Sequence, residues 1–149
     1  MLLETLIHDL NSAMKARDEL KVGTLRFLIA AIKKYDIDTY PPASSGKLSD
    51  ADVEKIIRKQ VRTHEESIAA FIKGNRPELA EKETAELAIL KAYLPKDLTD
   101  NEIRQIVKKA VSIRDANFGS VMGAVMKLLA GKASGERVQK LVKEELKLT

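Results

Sequence analysis

The chain has no cysteine among its 149 residues, which excludes a disulfide framework, a thiolate metal site and a cysteine nucleophile. Tryptophan is absent too, and aromatic residues make up only 4%. That is too few for the stacking platforms that read single-stranded bases. Glycine and proline are scarce, at 7 and 4 residues, so the turn-dense pattern of a β-sandwich or barrel is missing. The longest apolar run, Val121 to Ala130, is interrupted by Lys127 and falls far short of the roughly 20 residues that cross a bilayer. Glu4, His8 and Asp9 break up the first apolar stretch, so no secretory leader is expected. These absences lead us to expect a cytoplasmic protein with no membrane association. The surplus of one charge is also small, 26 basic against 22 acidic residues, a net +4.

What is present is helical periodicity. Leu3, Leu6, Ile7, Leu10 and Met14 recur at spacings of three and four, and Leu25, Leu28, Ile29 and Ile32 repeat the pattern. Gly23 is expected to bend or separate these two stretches. The signal stops at Tyr40-Pro41-Pro42, and residues 41–47 have loop composition. Ser49 with Asp52 offers an N-cap to a helix bearing Val53, Ile56, Ile57, Val61, His64, Ile68, Phe71 and Ile72, which ends at Gly74. Asn75 is expected to cap the next helix, with Pro77 in its first turn, Glu78 at the box position and Leu79, Leu87, Leu90 and Leu94 facing inward. Beyond Pro95, Thr99 and Glu102 form a full capping box before Ile103, Ile106, Val107, Ala110 and Val111. Asn117-Phe118-Gly119 reads as a break. Val121, Met122, Val125, Met126 and Leu129 make a short helix stopped at Gly131, and Ser134 caps a last helix with Val138, Leu141, Val142 and Leu146. The expected fold is all-α: an N-terminal multi-helical domain of about four helices, residues 1–94, and a small C-terminal three-helix bundle, residues 95–149.

The same boundary divides the charge. Residues 1–94 hold 15 basic and 15 acidic side chains, whereas residues 95–149 hold 11 and 7. The whole excess of +4 therefore sits in the last third. No catalytic set emerges. His64-Glu65-Glu66 lacks the second histidine a zincin helix needs, so His64 reads as a partly buried structural residue and His8 as a helix-surface one. Gly131-Lys132 lacks both the earlier glycine and the following hydroxyl of a phosphate-binding loop. No catalytic residue, metal or cofactor is expected. Gly119 and Gly123, one turn apart, suggest close helix packing. Lys55, Arg58, Lys59 and Arg62 have Asp52 and Glu54 within helical reach and read as a paired surface. The binding signal lies further on. Ser134 and Gly135 open a helix whose N-terminus is a ready anion site, and Lys132, Arg137 and Lys140 surround it. Lys127 stands just upstream, and Lys108 extends the basic face with Arg104 and Lys109. We therefore take Lys108, Lys127, Lys132, Arg137 and Lys140 as candidate nucleic-acid contacts, with Ser134 and Gly135 as the anion site. Such contacts give salt-dependent affinity without sequence preference.

Several stretches carry a family likeness. They are Ala13-Met14-Lys15-Ala16-Arg17-Asp18, Thr24-Leu25-Arg26 with Ala30-Ala31-Ile32-Lys33, the run from Phe71 to Glu83, Tyr93-Leu94-Pro95, Gly119 to Met126, and Gly131 to Gly135 followed by Val138. On these the chain resembles the GatB/YqeY family, and within it the small stand-alone YqeY-like proteins. The resemblance implies an all-helical protein of two domains, the second similar to the C-terminal tail of the B subunit of aspartyl/glutamyl-tRNA amidotransferase. That tail helps to hold tRNA, while the chemistry resides elsewhere in the enzyme. The implied function is a tRNA-binding or amidotransferase-associated module, non-catalytic by itself, with tRNA or another RNA as partner. The alternatives are a protein-interaction adaptor working through residues 1–94, and an inherited carbon–nitrogen ligase activity with glutamine as amido-N donor. Ser120 stands where family members often carry lysine, which removes one phosphate contact.

Overall fold

A computed structural model describes residues 1–113, 117–129 and 132–147 of the chain. Among the described residues there are seven α-helices and no strand, so the all-α expectation holds. The helices are α1 (Leu2–Lys15), α2 (Glu19–Thr39), α3 (Asp50–Lys73), α4 (Pro77–Lys91), α5 (Asp100–Ile113), α6 (Phe118–Leu129) and α7 (Gly135–Glu145). The chain forms two compact units, Met1–Leu94 and Pro95–Thr149.

In the first unit, α1 and α2 are parted at Arg17 and not at Gly23. Arg17 takes a left-handed φ of 57°, and the Asp18 side chain then caps α2 by accepting from the Lys21 N–H at 3.2 Å. Gly23 lies inside α2, where an added Cβ would meet no atom within 4 Å. The break needed a cap more than a flexible residue, and Asp18 supplies it. α2 stops at Thr39 because the prolines that follow Tyr40 cannot continue a helix. The Ser49–Asp52 capping box is present at the start of α3. Asp52 also accepts from the hydroxyls of Tyr35 (3.4 Å) and Tyr40 (3.2 Å), so the same carboxylate pins α2 to the entrance of α3. The backbone and hydroxyl hydrogen bonds from Ser49 hold the Asp52 carboxyl below the usual carboxylate range. The Tyr40 ring lies so close to Gly46 that a Cβ there would stand 2.5 Å from Cδ1, which is why the loop needs glycine at that place.

α3 ends at Gly74 as expected, yet Asn75 does not cap α4. Asn75 adopts a left-handed φ of 56° and Arg76 is the N-cap, without a side-chain hydrogen bond. Asparagine tolerates that conformation better than other side chains, and here it turns the chain between two antiparallel helices. Leu6, Leu25, Leu28, Ile32, Ile57 and Leu90 are fully buried at the centre of the unit. The expected stripe of α1 is rotated from the one the spacing suggests: Ala13 is buried, whereas Ile7 and Met14 are exposed. The Tyr93 hydroxyl donates to Asp9 Oδ2 at 2.6 Å across 84 positions, tying the end of α4 to α1.

In the second unit the Thr99–Glu102 box opens α5, and the Ser134 hydroxyl caps α7 by accepting from the Arg137 N–H at 3.3 Å. The expected break at Asn117-Phe118-Gly119 falls at its first residue: Asn117 stands outside the helices, its Oδ1 accepts from the Ser120 N–H at 2.8 Å, and α6 already begins at Phe118. Ile103, Val107, Val121, Val125, Leu129, Val138, Leu141 and Val142 form the core. The Gly119–Gly123 spacing does not mark a close helix crossing, since a Cβ at Gly123 would meet nothing within 4 Å. Gly131, expected to stop α6, lies outside the described residues. Leu98 ties the unit together: its N–H donates to the Lys132 carbonyl at 3.0 Å, its carbonyl accepts from Arg137 at 2.9 Å, and its side chain packs on the core.

Candidate functional site

The basic residues of the second unit divide into two sets. Arg137 is a structural strut. Its guanidinium donates to Asp100 Oδ1 through Nη2 at 2.7 Å and Nε at 3.1 Å, and to the Leu98 carbonyl. The hydrogen bond from Arg137 comes first among the causes that hold the Asp100 carboxyl below its ordinary range, and the fields of Arg104 and Lys140 add to it. Arg104 reaches Glu144 at 3.4 Å, linking α5 to α7. Lys143 stands 5.9 Å above the centroid of the Phe118 ring, linking α7 to α6.

Lys108, Lys127, Lys132 and Lys140 are exposed, and none forms an ion pair with another described residue. The Lys132 carbonyl and the Arg137 guanidinium both meet the Leu98–Asp100 entrance to α5, and the field of Lys140 reaches Asp100 there. Lys108 lies one turn beyond Arg104 on α5, and Lys127 is in the last turn of α6. Ser134 and Gly135 are exposed at the head of α7, where Glu136 already places a negative charge in the first turn. The Ser134 oxygen is itself occupied with capping.

A second cluster lies in the first unit, and sequence reasoning missed it. His64 on α3 bonds through Nδ1 to Glu83 on α4, and Glu86 Oε2 lies 3.7 Å from the same nitrogen. The side chains are 16%, 23% and 20% exposed, and one donor atom from each lies within 4.8 Å of the others. The expected structural histidine is therefore partly buried, but between two carboxylates. His64 and Glu86 line a groove of about 380 Å³ together with Gly23, Thr24, Phe27 and Gln60. A signal existed in the α3–α4 hairpin. His64 stands ten residues before Gly74, and Glu83 and Glu86 stand eight and eleven after Asn75. Residues at similar distance from the turn of an antiparallel pair face each other.

The fold and these surfaces define a small all-helical protein of two units, with cations exposed on the second. The chain belongs to the YqeY family: the family described as Yqey-like protein matches residues 3–146. It is similar to proteins named "Altered inheritance of mitochondria protein 41, mitochondrial". The one from Pyrenophora tritici-repentis is 30% identical over 150 residues, covering 97% of this chain and 80% of that protein. The one from Lachancea thermotolerans is 36% identical over 86 residues, 58% of this chain and 44% of that protein, so the match spans less than half of its length. The one from Candida glabrata is 28% identical over 136 residues, 91% and 72% of the two chains. The cytoplasmic expectation is corrected by these relatives, whose names place them in mitochondria. A cysteine-free composition suits any reducing compartment and carries no address. No described helix is long and apolar enough to cross a membrane.

Proposed function

We propose that the chain is an RNA-binding module, with tRNA as its partner, acting through residues 95–149 as a tail like that of the amidotransferase B subunit. The observation that carries this reading is the segregation of charge. All of the +4 lies in the second unit, where Lys108, Lys127, Lys132 and Lys140 are exposed with no described acid in ion contact. Arg137 supports the surface indirectly, by fixing the entrance to α5 that the Lys132 carbonyl and the field of Lys140 also reach.

A mobility-shift titration with unmodified tRNA tests it. Four phosphate contacts give a log–log salt slope of about −3. Replacing Lys108, Lys132 and Lys140 together by alanine is expected to flatten that slope by about 2 while leaving the thermal midpoint unchanged. Absence of a shift for the parent at 50 mM salt, or a triple variant that binds like the parent, refutes the reading.

One observation favours a second reading, an adaptor working through residues 1–94. Phe27, Ile37 and Ile72 are exposed by 69%, 68% and 66% on the neutral unit. A protein partner captured from lysate that survives nuclease treatment supports the adaptor, and a partner lost with the RNA supports the first reading. The carbon–nitrogen ligase alternative rests on the family resemblance alone.

A further inference from the structure

We propose that His64, Glu83 and Glu86, with Gln60, form a binding site for one divalent transition-metal ion, Zn²⁺ being the ion of choice, between α3 and α4. Its charge and donor set, and the separate observation of Gln60, carry it.

The first is charge. Two half-buried carboxylates face one imidazole, and the only ion pairs they make among the described residues are with that ring. A neutral His64 leaves the cluster at −2, and a protonated one leaves it at −1. Either way it lacks positive charge that a divalent cation supplies.

The second is the donor set. One imidazole nitrogen and two carboxylate oxygens, all within 4.8 Å of one another, match the borderline-to-hard ligands that Zn²⁺ and its first-row neighbours take. Bond lengths of about 2.0–2.2 Å in a tetrahedral site set donor separations near about 3.4 Å. Closing the present cluster onto an ion takes a shift of about an ångström, within the reach of glutamate rotamers. The ion takes the place of the hydrogen bond between His64 Nδ1 and Glu83, and the proton of that bond leaves to solvent.

The third is Gln60. It lies four residues before His64, on the same face of α3, and lines the same groove. Its Oε1 is sealed from solvent with no hydrogen-bond partner among the described residues. A buried amide oxygen left unpaired is costly, and an amide carbonyl is a competent fourth ligand. Gly23 also lines the groove, presents no side chain, and has open space above it, so an ion has a path from solvent.

The chain has two histidines and no cysteine, which makes the test clean. The full chain, free of any affinity tag and stripped with a chelator, is titrated with ZnCl₂ by calorimetry and by proton NMR of the imidazole resonances, assigned through His8→Gln. The expected result is one equivalent of zinc per chain, with His64 resonances displaced and those of His8 unmoved. His64→Gln and Glu86→Gln are each expected to weaken binding at least tenfold, and His8→Gln to leave it unchanged. The proposal is overturned if no stoichiometric binding occurs, if zinc moves His8 in place of His64, or if both cluster variants bind like the parent. Should a variant fail to fold, the stoichiometry and the imidazole shifts of the parent decide by themselves.

Discussion

Replacing Tyr93 by phenylalanine removes one oxygen and one hydrogen bond, that to Asp9 Oδ2 at 2.6 Å. The bond joins the second residue beyond α4 to the middle of α1, so it ties the last and first helices of the unit together. A hydrogen bond to a charged acceptor contributes about 1.5–3 kcal/mol in a dry site. Tyr93 and Asp9 are only partly buried, and water screens such a pair, so we take about 1 kcal/mol. For a unit of this size that corresponds to a fall of about 5 °C in the melting temperature near neutral pH. The pH dependence gives a second readout. Burial, then the hydrogen bond and field of Asp9, push the Tyr93 hydroxyl well above its ordinary range. A folded-state pKa raised above the unfolded value means that the stabilisation is complete below about pH 10 and is lost as the pH rises beyond it. Thermal melts followed by circular dichroism at pH 7 and pH 11 check both. Tyr93→Phe should melt lower than the parent at pH 7 and show a smaller alkaline loss. Tyr40→Phe serves as the comparison, because Tyr40 is also raised, first by desolvation and then by Asp52. If Tyr93→Phe melts with the parent at pH 7 and loses as much stability on going to pH 11, the bond does not tie these helices together.

Ile57 is fully buried, so Ile57→Ala should cost about 2–5 kcal/mol, measured by urea unfolding with an unchanged slope. Asn75→Gly should be neutral or slightly stabilising and Asn75→Ala destabilising by about 1 kcal/mol, because the position has a left-handed φ of 56°. Calorimetric melts of the two variants should move in opposite directions or differ by that amount. Arg137→Ala should lower the melting temperature even in the absence of RNA, while Lys132→Ala should not. Equal stability of the two variants contradicts the role of Arg137 as a strut.

Much of the fold was legible because its determinants are local. The α2 positions Leu25, Leu28, Ile29 and Ile32 are all buried, and the caps at Ser49, Thr99 and Ser134 hold as read. What was not legible depended on backbone angles or on distant partners. A left-handed Arg17 or Asn75 carries no composition signal comparable to glycine, so Gly23 drew the α1–α2 break to the wrong place and Asn75 was read as a cap. Ile7 and Met14 fit the helical period, but the partners that select the buried face of α1 lie on α2 and α3. The candidate site behaves likewise. The lysines were visible as charge, whereas the engagement of Arg137 with Leu98 and Asp100 spans 39 and 37 positions. The His64–Glu83–Glu86 cluster needed the hairpin turn to be placed before its members could be paired.

Leu98 sets a limit on how the second unit can be separated from the first. It stands two residues before α5, in a stretch that composition marks as connector. Its N–H, its carbonyl and its side chain all serve the fold on the far side of that connector. A fragment trimmed to the helical boundary at Asp100 therefore discards the clasp that fastens the α6–α7 junction. A fragment that keeps this clasp begins at or before Leu98, and a protease that nicks the chain after this residue loosens Arg137 from the Leu98 carbonyl while its two bonds to Asp100 remain.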